Sequence, residues 1–284
     1  MRIFLVTTDH FTDHLWFKDD DDFKAGMNYV AVVSLITGIK VLAFILMSNH
    51  VHFVLCCSES EAKHFIDTYK RLYGGYFARK YIVKDYFRKV GVDIRDVTDG
   101  DESAERAIAY VHMNAVAANI CASPFFYPWG TGACFFNENP QVGRPIGELS
   151  RRAQIKMTRS NVKFPSSIRF SSSGYILPES FVNVKGVEHL FKTPKRYRFF
   201  LRNSSKAKRV LENDAFPSFR DQSILASSID LCQSLFKADG PDKLTWEQKA
   251  ELLKQLRFRF NADVNQLCRV IGIPYNEAAT MLNF

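Results

Sequence analysis

Residues 39–57 read IKVLAFILMSNHVHFVLCC, an apolar stretch whose middle carries the polar pair SN and two histidines. Apolar, β-branched runs on either side of a polar pair are typical of strands. The stretch therefore predicts strands over residues 39–47 and 51–57, which form either a tight hairpin or one long bent strand. Residues i and i+2 of a strand project from the same face, so His50 and His52 are predicted to share one face.

Further strands and helices are predicted on both sides of this stretch. Strand-like patterns occur at residues 2–8 and 87–97. Helical spacing of apolar residues occurs at residues 23–37, 61–82 and 101–118. The acidic run Asp19–Asp22 is predicted to begin the first helix rather than to bind a metal, because carboxylates complement a helix N-terminus. Gly38 is predicted to end this helix, and Ser60 to cap the second.

Charge is distributed unevenly along the chain, whose formal net charge is +8. Residues 1–140 hold 14 Lys and Arg against 17 Asp and Glu, whereas residues 141–284 hold 24 against 13. The net charges of the two halves are therefore −3 and +11. A basic half of this kind indicates a polyanionic partner, most often nucleic acid, or else a soluble protein with basic surface loops.

The composition shift near residue 140 divides the chain into three predicted regions. Residues 1–140 hold the predicted strands, residues 141–240 form a basic linker or accessory region, and residues 241–284 are predicted to be helical. In the last region, DVNQLCRVIGIPYNEAATML (263–282) has the spacing of two helices around a tight turn at Gly272. A DNA-binding helix-turn-helix and a plain α-hairpin explain this pattern equally well. Six residues are predicted to form its core: Val264, Leu267, Ile271, Ile273, Ala278 and Leu282.

The cysteines and the N-terminus bear on location. The six cysteines form no CxxC motif and no regular framework, which favours a reducing cytosol over secretion. The N-terminus MRIFLVTTDHF has too short an apolar run for a signal-peptide core, and no window of about 18 apolar residues exists. We therefore expect a cytoplasmic protein without a membrane span.

Two histidines on one face of a strand can act as two ligands of one divalent metal ion, although two half-exposed surface histidines would explain the same pattern. A second group lies in YVHMNAV, residues 110–116. On a helix, Tyr110 and Asn114 stand one turn apart on one face, while His112 points elsewhere. A tyrosine is a possible covalent nucleophile, and an asparagine carbonyl is a plausible third ligand.

Four motifs together resemble the HUH-type single-strand DNA transposases with one catalytic tyrosine, and among them the REP-associated tyrosine transposases. In chain order they are MSNHVH (47–52), RLYGGYFARKY (71–81), YVHMNAVAAN (110–119) and YPW (127–129). Their order and spacing agree over roughly the first 136 residues. Four positions depart from the family pattern, namely Ser48, Ala78, Ala115 and Ala117, and these concern DNA contacts more than the chemistry.

The resemblance implies an α+β, ferredoxin-like antiparallel sheet built from the four predicted strands, with helices on one face. It also implies Mg²⁺ or Mn²⁺ held by His50, His52 and Asn114, and cleavage of single-stranded or hairpin DNA through a 5′-phosphotyrosine on Tyr110. The candidates for phosphate contacts are Lys70, Arg71, Arg79 and Lys80. Three aromatic residues of the same segment are candidates either for base stacking or for the core: Tyr73, Tyr76 and Phe77.

Two other functions fit the same residues. One is a domesticated protein that binds DNA hairpins without cleaving them, which the alanine departures and the long basic half would suit. The other is a metal-dependent hydrolase with HxH on a parallel barrel strand, which would need further His and Asp ligands downstream. The number of subunits, one or two, is left open by the sequence.

Overall fold

A computed structural model describes residues 2–98, 103–206 and 218–282. The stretch 39–57 forms a tight hairpin, because Met47 pairs with His50 across a two-residue turn. Four strands form one sheet, and they are β1 (Arg2–Thr8), β2 (Lys40–Met47), β3 (His50–Cys57) and β4 (Val92–Asp96). Their order is β2-β3-β1-β4 and every neighbouring pair is antiparallel.

Two long helices connect these strands, and they are α1 (Asp20–Thr37) and α2 (Glu59–Tyr81). The chain order β1-α1-β2-β3-α2-β4 is that of the ferredoxin-like fold, which confirms the predicted α+β class. Asp19 caps α1 by accepting a hydrogen bond from the backbone of Asp22, and Gly38 ends it with φ 70°. The predicted cap of α2 is wrong by two residues, because Ser58 forms a capping box with Glu61.

The two faces of the sheet are covered by different helices. Phe53 points to the face that α2 covers, and its ring lies 5.3 Å from the ring centroids of both Phe65 and Tyr69. His52 points to the opposite face, which the next helix, α3 (Ser103–His112), covers by packing against β2 and β3. The predicted single helix over 101–118 is interrupted at Met113, after which a short helix α4 (Asn114–Ala117) follows.

The open edge of β2 is paired by the aromatic segment after α4. The backbone N–H of Leu46 donates to the carbonyl of Trp129 at 2.8 Å, and that of Thr131 donates to Phe44 at 3.0 Å. Gly130 lies between them, where a Cβ would stand 2.8 Å from the Phe44 carbonyl oxygen. Only glycine therefore allows this approach, which satisfies the backbone groups of an edge strand.

The second half packs partly on the sheet and partly on itself. Its first helices are α5 (Arg151–Thr158), α6 (Val184–Phe191) and α7 (Pro194–Arg202), with a short strand pair, β5 (Arg144–Pro145) and β6 (Arg169–Phe170), before α6. Phe191 and Tyr197 belong to the same apolar core as the sheet. A second core lies among the last helices, which are α8 (Asp221–Leu231), α9 (Trp246–Phe260), α10 (Val264–Ile271) and α11 (Tyr275–Met281).

Helices α10 and α11 form the predicted helix, turn and helix, with Gly272 at φ 75° between them. Four of the six predicted core residues are buried there and the other two partly so. None of the six cysteines forms a disulfide. Across the described ranges, no helix combines the length and the apolar character that a bilayer crossing requires.

Candidate functional site

Three histidines meet at one end of the sheet. The backbone N–H of Phe11 donates to the Asn49 carbonyl at 3.1 Å, and the Asn49 side chain donates to the Phe11 carbonyl at 2.9 Å. These bonds hold the chain after β1 against the β2–β3 turn. The His10 ring consequently stacks on His50 with centroids 3.6 Å apart, and His50 lies 4.7 Å from His52.

The hydrogen bonds of the two strand histidines leave one nitrogen of each ring for a ligand. Nδ1 of His50 donates to Asn49 Oδ1 at 2.8 Å, and Nδ1 of His52 is bonded to Thr7 Oγ1 at 3.0 Å. The Nε2 atoms of both rings are buried and have no hydrogen-bond partner in the described parts of the chain. Because an outer partner on Nδ1 orients a ligating histidine and fixes its tautomer, this arrangement suits a metal.

One ligand atom from each of His10, His50 and His52 lies within 4.8 Å of the others, so the three residues could hold a single metal ion. Burial lowers the pKa of His50 well below its usual value, and it lowers the pKa of His52 to about 3. Burial also lowers the pKa of His10, with help from the cations Lys206 and Arg269. The rings are therefore neutral at pH 7, which is the form that binds metals.

Tyr110 and Asn114 approach this cluster from α3 and α4. The Tyr110 ring stands edge-on to His52 with centroids 5.5 Å apart. The Asn114 amide donates to the carbonyls of Tyr110 and Val111 at 2.8 and 3.2 Å, so its Oδ1 is left to face the histidines. The Asn114 side chain beside the ring raises the pKa of His52, although the effect of burial outweighs it. Residues about 60 positions apart in the sequence thus share one site.

A cavity of about 260 Å³ opens over the histidines, and the C-terminal helices form its outer wall. Ser48, in the β2–β3 turn, donates to Asp221 at 2.6 Å. Asp221 also accepts from Gln266 at 2.9 Å and from Arg269 at 3.3 Å. Lys206 lines the same cavity, and its Nζ lies 5.0 Å from the Tyr110 ring centroid. The cavity over the histidines is therefore polar and carries charged groups of both signs.

The alternative of two half-exposed surface histidines is wrong, because the exposed fractions of His50 and His52 are 4% and 0%. His112 faces away from the site, as predicted. Its two ring nitrogens are bonded to Thr131 Oγ1 at 2.9 Å and to the Tyr197 hydroxyl at 2.8 Å. His112 is a satisfied core residue that links α3 to α7.

The four predicted DNA contacts lie on α2, across the sheet from the histidines. Lys70 donates to the Val90 carbonyl at 2.6 Å, and Lys80 forms ion pairs with Asp19 and Asp22 at 2.6 and 2.7 Å. The other two, Arg71 and Arg79, are exposed. The three aromatic residues of this helix are all buried in the core, namely Tyr73, Tyr76 and Phe77. A role of the α2 cations in DNA binding stays a prediction.

His10 is the site residue that sequence reasoning missed. The antiparallel register pairs Thr7 with His52, so the chain just beyond β1 must reach the level of His50. A histidine one or two residues past the end of β1 was the available signal. It becomes informative only once β1 is known to be the neighbour of β3.

Comparisons with protein-family models, curated proteins and solved structures find no match to this chain. The function is therefore inferred from the geometry of the site and from the motifs that its residues belong to.

Proposed function

We propose that this protein is a metal-dependent enzyme that cleaves and rejoins single-stranded DNA through Tyr110, as an HUH-type transposase with one tyrosine does. The observation that carries this proposal is the meeting of two separate motifs. Buried His50 and His52 on β3 lie beside Tyr110 and Asn114 on α3 and α4, with 5.5 Å between the rings of His52 and Tyr110. A random pair of motifs has no physical reason to meet at one place in the fold.

His10, His50 and His52 would hold the metal ion, with Asn114 Oδ1 as a further oxygen ligand. When bound, a divalent cation would polarise the scissile phosphate and neutralise charge that develops on it. Imidazole nitrogen suits transition metals, whereas Mg²⁺ prefers oxygen ligands. Of the two expected ions, this residue set therefore favours Mn²⁺.

In the proposed reaction, the Tyr110 oxygen attacks phosphorus and the bond from phosphorus to the 3′ oxygen breaks. The leaving 3′ oxygen takes a proton and becomes a free hydroxyl, while the 5′ phosphate stays on the tyrosine. Since the phosphodiester linkage is conserved in this ester, the reverse step rejoins strands without ATP. The Lys206 ammonium lies 5.0 Å from the Tyr110 ring centroid, so a cation stands beside the proposed nucleophile.

The test uses end-labelled single strands that contain hairpins from the repeats flanking the gene, with Mn²⁺ present. Wild type should form a covalent adduct that survives denaturation. Tyr110→Phe should form none, because it loses only the nucleophilic oxygen, and His50→Ala or a chelator should also prevent it. Tyr275→Phe, which changes an exposed tyrosine on α11, is the control and should leave the adduct intact. An undiminished adduct in Tyr110→Phe would refute the tyrosine mechanism.

One observation favours hairpin binding without cleavage as the second candidate. The bond from Ser48 to Asp221 holds the C-terminal helices over the cavity, which restricts access to the histidines. This candidate predicts tight hairpin binding and no adduct in wild type under any metal. The HxH hydrolase loses support, because its parallel barrel strand is replaced here by an antiparallel sheet.

A further inference from the structure

Helix α7 exposes one continuous face that combines cations with an aromatic ring. Lys195, Arg198, Phe199 and Arg202 are exposed and follow the spacing i, i+3, i+4 and i+7, so they lie on one side of the helix. No acidic residue occurs among the nine residues of α7. The exposed side of this helix is therefore a purely basic surface with a phenylalanine in it.

Three of the four cations of α7 lie on this exposed face. None of them has a carboxylate partner within residues 2–98, 103–206 and 218–282. Arg196, on another side of the helix, is different because it pairs with Glu105 of α3 at 3.3 Å. The helix thus uses one arginine to dock on α3 and leaves three charges for a partner. Such uncompensated positive charge is the electrostatic footprint of a nucleic-acid surface.

Phe199 is 57% exposed, whereas its neighbour Phe200 is 4% exposed. The two rings meet edge to face with centroids 5.8 Å apart, so Phe200 supports Phe199 from below. An exposed ring in this position has lost little water and offers a flat face to a planar ligand. Nucleobases stack on such rings in proteins that bind single strands.

The α7 face borders a groove that leads to the candidate nucleophile. The groove has a volume of about 490 Å³, and it is lined by Arg106, Tyr110, Phe199 and Asn203 among others. Arg106 precedes Tyr110 by one turn of α3, which places both on the same side of that helix. Tyr110 therefore stands between this groove and the histidine cluster. A strand whose phosphate reached Tyr110 would continue along α7.

We propose that the groove and the exposed face of α7 bind the nucleotides of single-stranded DNA next to the scissile phosphate. Lys195, Arg198 and Arg202 contact phosphates, and Phe199 stacks on a base. This inference rests on the proposed function for the position of the scissile phosphate. It assigns the basic character of the second half to a particular surface, on a helix outside the four motifs.

The experiment measures binding of a fluorescent 20-nucleotide single strand by anisotropy at several salt concentrations, without metal so that no cleavage occurs. The variant Lys195→Gln/Arg198→Gln/Arg202→Gln should bind more weakly, and its salt slope should be smaller by about 2, given about 0.7 per phosphate contact. A matched control removes three exposed cations elsewhere in the basic half, Arg152→Gln/Lys156→Gln/Lys185→Gln, and lowers the net charge equally. Equal changes in both variants would overturn the proposal.

Stacking is tested separately with Phe199→Ala, which should weaken single-strand binding about tenfold because one stacked base is lost. Phe258→Ala changes another exposed phenylalanine between two arginines, on α9, and should leave binding unchanged. Binding of a duplex of the same sequence should be insensitive to Phe199→Ala. Equal weakening of duplex and single-strand binding would overturn the stacking role.

Failure of this inference can be told from failure of the proposed function. If wild type forms the Tyr110 adduct but the α7 variants bind like their controls, the proposed cleavage activity is supported and the proposed role of α7 is wrong. If the α7 variants lose affinity and wild type never forms an adduct, the proposed role of α7 in binding is supported and the cleavage proposal is wrong.

Discussion

Helices α2 and α7 are both basic and aromatic, but they lie on opposite sides of the sheet. In α2, Tyr73 and Phe77 are fully buried under the sheet, and Lys80 is paired with Asp19 and Asp22. In α7, which packs against α3 on the histidine side, Phe199 is exposed, and the cations of the outer face have no acidic partner among the residues that the structure describes. Aromatic and basic residues are thus part of the core and its ion pairs in α2, whereas in α7 they are exposed on the surface.

The difference teaches that the neighbours of a helix decide what its charges do. Asp22 is fully buried beneath α2, and a buried carboxylate requires a compensating charge. It receives one from Lys80, and the hydroxyls of Tyr76 and Tyr81 donate to it as well, at 2.8 and 2.7 Å. Lys80 of α2 therefore has a structural role. On this basis we expect changes on the α2 side to alter stability, and changes on the histidine and α7 side to alter ligand binding.

The largest effect should come from two adjacent residues of β3 that face opposite ways. Phe53→Ala should lower the free energy of unfolding by about 3–5 kcal/mol, because it leaves a cavity in the core beneath α2. His52→Ala should cost only about 1 kcal/mol without metal, because it loses one hydrogen bond to Thr7 and removes a buried nitrogen that has no partner. Denaturant unfolding in the presence of a chelator measures both. If both variants lose the same free energy of unfolding, the two faces of the sheet do not differ in their contribution to stability.

The next effect is stabilisation by metal, which should belong to the histidine face alone. A divalent ion at 100 times its dissociation constant should raise the free energy of unfolding by about 2.7 kcal/mol. His50→Ala should abolish this gain, because it removes a buried ligand. His10→Ala should only reduce it, because His10 is the exposed member of the cluster. Calorimetric titration with Mn²⁺ and Zn²⁺ reports the affinities directly.

The control for the metal prediction is His189→Ala, which removes an exposed histidine outside the cluster. Its metal affinity should equal that of wild type. If His10→Ala binds metal as tightly as His189→Ala does, then His10 is not a ligand and Asn114 is the better third candidate.

The smallest effect compares single cations on the two helices. Lys80→Gln should lower the free energy of unfolding by about 1–3 kcal/mol, because it withdraws a charged donor from the buried Asp22. Arg202→Gln should change it by less than about 0.5 kcal/mol, as exposed surface substitutions usually do. The same denaturant titration measures both variants. If Lys80→Gln has the same free energy of unfolding as wild type, then Lys80 is not needed for stability and is available to bind a ligand.

Much of the fold was predictable because its signals are local. The apolar runs of β1, β2 and β3, the acidic cap of α1 and the glycine at its end all depend on neighbours a few residues away. The weaker signals were less exact. The predicted strand over 87–97 is observed only at Val92–Asp96, because Phe87 and Val90 turn into the aromatic core beside α2. The N-cap of α2 was misplaced because Ser58 and Ser60 are locally equivalent until Glu61 closes the capping box.

By itself, the sequence determined which residues can share a face: His50 with His52 by the strand period, and Tyr110 with Asn114 by the helix period. Only the tertiary structure decided that these two pairs meet, that His10 joins them, and that α7 rather than α2 lies beside Tyr110. The periods of strands and helices are set by local backbone geometry, so they can be recognised in any short segment of the sequence. Contacts between distant segments depend on sheet order and register, which arise from packing of the whole chain.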